Sequence, residues 1–133
     1  MNIISLYTSL LILVFVILSI RTIRVRRMSK IAIGHADNQD LLRASRAHAN
    51  FAEYVPLSLI SIFLVESNGA SPIFIHVLGF TLLIGRIIHS YGISQVKENF
   101  RFRVSGMVLT FSVLLTSGTY LFVNFLIKAF FRG

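Results

Sequence analysis

The chain contains no cysteine. That excludes disulfides, cysteine-held metals and a protein thiol nucleophile. Any thiol chemistry has to use a thiol carried in by a ligand. Tryptophan is also absent, so anchoring at a membrane interface falls to Tyr, Phe and Arg. Acidic residues are scarce: five Asp and Glu stand against thirteen Lys and Arg, for a net charge of +8. In a soluble domain such an excess suggests nucleic acid. Here 55% of the residues are hydrophobic and only 14% are charged, too apolar a composition for a soluble domain of 133 residues. The basic residues crowd the ends of apolar segments, so the membrane reading prevails and no nucleic-acid partner is expected.

Ile3 to Ile20 is an uncharged stretch. No basic region precedes it and no small-x-small cleavage site follows it, so it is expected to be a retained membrane helix, not a signal peptide. A bilayer span needs about 20 residues. Four segments meet that length: roughly 3–26, 40–66, 72–94 and 102–128. They predict an all-α membrane protein, a single four-transmembrane-helix bundle over 1–133. Ser71 is the expected N-cap of the third helix, with Pro72 at its first position. Pro56 inside the second is expected to kink it. The longest connection is expected from Arg27 to Gln39.

Eleven of the thirteen basic residues flank two connections. Arg21, Arg24, Arg26, Arg27, Lys30, Arg43 and Arg46 surround the first, and Arg86, Lys97, Arg101 and Arg103 the third. Only Lys128 and Arg132 lie at the other end. The positive-inside rule then predicts both basic connections in the cytoplasm and both termini outside. A multi-pass protein of a bacterial inner membrane, its site facing the cytoplasm, is the expected localisation.

Within the second segment, Arg43, Arg46, Asn50 and Glu53 are spaced by three, four and three residues. On a helix they share one face. An ionised group at the centre of a bilayer helix costs about 2.5–3.5 kcal/mol on insertion scales. The row therefore needs partners: each other, another helix or a polar ligand. Tyr54 adjoins it. Arg86 and His89 near the end of the third helix, and Arg101 and Arg103 at the start of the fourth, reach the same membrane face. Cations around one buried carboxylate, Glu53, suit a small molecule with two or more anionic groups and one ammonium. Plainer readings stand beside this one. Arg43, Arg86 and Arg101 can snorkel to lipid phosphates. Glu53 can bridge to Arg86 or Arg46, and His89 can serve as an interfacial hydrogen-bonder. No metal-ligand cluster is evident, and His35, His48 and His76 are scattered.

The run Arg46-Ala-His-Ala-Asn50-Phe-Ala-Glu53-Tyr54-Val-Pro56 resembles the helix 2 signature of the MAPEG family, the membrane-associated proteins in eicosanoid and glutathione metabolism. Arg86-x-x-His89 and Arg103-x-x-Gly106 add weaker support, and the short chain looks like the family's bacterial branch. The resemblance implies a homotrimer of four-helix subunits, with glutathione as co-substrate between neighbouring subunits. By motif match Arg46, Asn50, Glu53 and Tyr54 would hold glutathione, joined by Arg86 and His89. Arg24 resembles a helix 1 arginine that reaches the site of the adjacent subunit. Arg103 resembles the arginine beside the glutathione sulfur and is the expected catalytic residue. The eicosanoid synthases carry a helix 3 tyrosine near where Ile93 falls.

The resemblance thus implies a glutathione transferase or peroxidase acting on lipophilic electrophiles or lipid hydroperoxides, which would enter from the lipid between helices 1 and 4. A lipid-binding or scaffold protein of the same fold is the alternative. A small transporter fits less well, since no inverted repeat is present.

Overall fold

The computed structural model describes residues 2–96 and 99–131, without the Phe131 side chain. Of the basic residues sorted above, Lys97 and Arg132 lie outside the described residues. Four helices, α1 (Ile4–Ser29), α2 (Gln39–Ser67), α3 (Pro72–Ser94) and α4 (Phe100–Phe131), account for the fold, and each is long and apolar enough to cross a membrane.

Several helix ends have a local sequence reason. α1 outlasts its apolar run by carrying Arg26 and Arg27 in its last turn, where cations oppose the partial negative charge of the helix end. It stops at Lys30, which turns left-handed at φ 55°. The Arg26 guanidinium then donates to the carbonyls of Ile31, Ala32 and Gly34 at 3.1–3.2 Å, folding the connection around itself. Asn38 caps α2 by accepting from the Leu41 amide at 2.9 Å. α2 continues through Pro56 to Ser67. Ser71 caps α3, with Pro72 opening it.

α1 buries Ile4, Tyr7, Leu11 and Leu18, a stripe at helical spacing, against α2 and α3. α3 packs on all three other helices, and its pairing with α4 is the most extensive. Among the described residues α1 and α4 do not pack on each other, so the expected crevice between helices 1 and 4 is not formed by one chain. The α3–α4 approach is close because Gly106 lacks a side chain: a Cβ there would stand 2.6 Å from the Gly85 carbonyl oxygen and from the His89 Cβ.

The two ends of the bundle differ in chemistry. At the end holding the N-terminus, Ile3 offers α1 no side-chain cap. Glu66, from the far end of α2, supplies it: its carboxylate accepts from the Ile3 amide at 2.5 Å and the Ile4 amide at 3.1 Å. A carboxylate there satisfies two unpaired donors and meets the positive end of the helix. Glu66→Ala is therefore expected to destabilise the bundle by about 1–2 kcal/mol, read as a lower melting temperature in detergent. An unchanged melting temperature would remove this cap from the account.

Candidate functional site

At the basic end, two arginines close the C-terminus of α3. Arg21 donates to the hydroxyl and carbonyl oxygens of Ser94, and Arg43 to the carbonyls of Gln95 and Val96. These carbonyls have no helical partner, so Arg43 is occupied by backbone and not left to lipid phosphate. Arg101 is exposed, as a lipid-facing arginine would be.

Arg86 lies at 0% exposure, the largest fully buried side chain among the described residues. Its Nη2 donates to Asn50 Oδ1 at 2.6 Å, and its Nη1 to Thr110 Oγ1 at 3.3 Å and to the Met107 sulfur at 3.7 Å. The charge sits 5.8 Å from the Phe51 ring centre and 6.0 Å from that of Tyr54, within cation–π range. Arg86 thus joins α2, α3 and α4 through neutral groups. It neither snorkels nor bridges to Glu53. Its grip on Oδ1 fixes the Asn50 amide, so that Asn50 presents its NH₂ group elsewhere.

His89, one turn further on, is 3% exposed. Its Nδ1 lies 3.1 Å from the Arg103 carbonyl oxygen, and its Nε2 is buried with no hydrogen-bond partner among the described residues. Arg103 is half-buried, with its guanidinium 5.7 Å from the Phe100 ring centre.

Two cavities meet at Arg103. A polar cleft of about 410 Å³ is lined by Gln39, Leu42, Arg43, Arg46, Ile93 and Arg103. An apolar groove of about 350 Å³ is lined by Arg103 and His89 with Phe100, Val104, Met107, Val108 and Phe111. The cleft gathers three arginines from α2 and α4, a setting for anions. The groove offers hydrocarbon contact to an apolar molecule. Arg103 is in position to touch ligands in both.

The remaining site residues are placed differently. Asn50 and Tyr54 line neither cavity: Asn50 holds Arg86, and Tyr54 packs edge-on at 5.6 Å against Phe111 of the groove. Glu53 is exposed; the expectation of a carboxylate buried among cations does not hold within one subunit. Arg24 is likewise exposed on α1, away from the cleft lining. Both point to surface that this chain's own helices leave uncovered. Sequence reading missed Thr110 and Met107 as partners of Arg86. The available signal was Thr110 four residues after Gly106, on the face that the close approach turns toward α3.

The fold and its polar end define a four-helix, multi-pass integral membrane protein. The chain belongs to the MAPEG family, whose model matches residues 4–123. It is 35% identical over 111 residues, 84% of this chain and 83% of the relative, to the protein named inner membrane protein YecN in two strains of Escherichia coli. No solved structure gives a significant match.

Proposed function

We propose that the protein is a glutathione transferase, with glutathione peroxidase activity as a variant of the same chemistry, acting on lipophilic electrophiles or hydroperoxides dissolved in the membrane. The observation that carries this reading is Arg103 standing between an arginine-lined cleft and an apolar groove. Glutathione has two carboxylates, one ammonium and a thiol. Its carboxylates suit Arg46 and the other cleft arginines. Its sulfur, placed at Arg103, would face the groove where an apolar partner lies. Family membership supports the same assignment.

The exposure of Glu53 and Arg24 supports a homotrimer. An ionised carboxylate facing hydrocarbon is costly, and a neighbouring subunit removes that cost while bringing its Arg24 toward the site. The crevice between helices 1 and 4 would also form only across such an interface. The basic connections support an orientation with both termini periplasmic and the site open to cytoplasmic glutathione, in a bacterial inner membrane.

Binding is tested by two substitutions. Glu53→Gln removes the charged partner of the ligand ammonium, and Arg46→Ala removes a fork for a ligand carboxylate. Truncating one member of a desolvated charge pair costs about 2–5 kcal/mol, so glutathione affinity by calorimetry should fall at least about thirtyfold in each. Unchanged affinity in both variants would leave these residues a structural role only.

A further inference from the structure

We propose that His89 takes the proton from the glutathione thiol, through Nε2; the inference rests on the glutathione reading above. The ring's tautomer is set by its neighbour. A carbonyl oxygen can only accept, so the 3.1 Å contact between His89 Nδ1 and the Arg103 carbonyl requires the proton on Nδ1. Nε2 of the neutral ring then carries a lone pair. It is buried, has no hydrogen-bond partner among the described residues, and belongs to a side chain that lines the groove shared with Arg103. A buried acceptor without a partner is costly. A thiol S–H at the groove mouth would supply one.

Among the described residues, few other groups near Arg103 can take a proton. Arginine stays protonated and cannot act as base. The Ser105 hydroxyl is exposed and donates to the carbonyls of Arg101 and Phe102. Glu53 does not line the groove. Among the described residues, the charged groups around the ring are Arg86, one turn back on α3, and Arg103 on α4; from α2, Asn50 and Tyr54 approach through Arg86. Two cations flank the imidazole. A proton on Nε2 therefore gains its stabilisation from the anionic sulfur formed beside it, and transfer is tied to ligand binding.

In this step the S–H bond breaks, an Nε2–H bond forms, and the sulfur keeps the electron pair. The thiolate lies beside Arg103 and the imidazolium. When the sulfur attacks the electrophile, the proton on Nε2 passes to whichever substrate atom gains the negative charge, and His89 returns to its neutral form. Arg103 thus stabilises charge while His89 moves the proton.

The test is a proton count. Reduced glutathione is titrated into the purified full-length protein near neutral pH, by calorimetry in two buffers of different ionisation heat. Thiolate absorbance is followed in parallel. The wild-type protein should form thiolate with no net proton released to buffer. His89→Gln, which keeps a donor for the Arg103 carbonyl, should bind glutathione within about threefold of wild type. Its kcat at neutral pH should fall about a hundredfold and recover as pH rises. One proton released to buffer per thiolate formed by the wild type would overturn the role of His89 while leaving the glutathione reading intact. A wild type that gives no binding heat with glutathione would overturn both. The wild-type count needs no variant to fold.

Discussion

Arg103→Ala is expected to lower turnover at neutral pH by about twentyfold while changing glutathione affinity far less. A free thiol of pKa about 8.5 is only about 3% ionised at pH 7. Lowering that value by about two units needs roughly 2.7 kcal/mol of preference for the thiolate and makes most of the bound sulfur anionic. A guanidinium in a half-buried position can supply such a preference. Because the interaction grows as the sulfur becomes charged, its loss belongs in the rate more than in binding. The sign with pH follows. Above about pH 8.5 thiolate forms unaided, so the defect should shrink there. Arg101→Ala is the control: Arg101 is exposed and lines neither the polar cleft nor the groove with His89. Conjugation of a chromogenic electrophile, followed across pH in both variants, measures this. A pH-independent loss, or a larger defect from Arg101, would assign the thiol-facing role to another residue.

The second large effect is expected at Arg86. Arg86→Ala empties a fully buried site and removes the donors to Asn50 and Thr110. The void and the lost partners together should cost about 3–5 kcal/mol of stability. Arg86→Met separates packing from polarity. It refills much of the volume between Phe51, Tyr54 and Met107 and buries no charge. The packing share of the loss should then be recovered, while Asn50 Oδ1 stays without its donor, so the melting temperature should lie between those of Arg86→Ala and wild type. Glutathione affinity should not return, because Asn50 has lost the contact that fixes its amide. Thermal unfolding and calorimetry on the two variants give both readings. Recovery of affinity in Arg86→Met would show that Arg86 only fills space.

The helices were legible because lipid imposes a length and an apolar composition on each span, and because Ser71-Pro72 is a local start signal. Family membership was legible in the helix 2 run, where chemistry fixes residue types at fixed spacing. Tertiary pairing was not. Glu66 reaches the start of α1 across 63 residues, and nothing local to either end announces it. Arg43 and Arg86 each had a lipid-facing reading as good as any other from sequence. What decides between readings is the face on which each helix packs, and that depends on where Gly106 lets α4 approach α3. The burial expected for Glu53 followed from spacing on one helix, which says nothing of what covers that face. The unpartnered His89 Nε2 was invisible for a related reason: its tautomer is set by the carbonyl of a residue on another helix.

The central claim is that the site at Arg103 binds glutathione and holds its sulfur as thiolate. Ultraviolet difference absorbance of the wild-type protein, titrated at neutral pH with reduced glutathione and separately with S-methylglutathione, tests it most directly. A thiolate band that saturates with glutathione is expected, and saturable binding heat without any band for the S-methyl analogue. Saturating heat with reduced glutathione and no thiolate band, or no heat with either ligand, would contradict it.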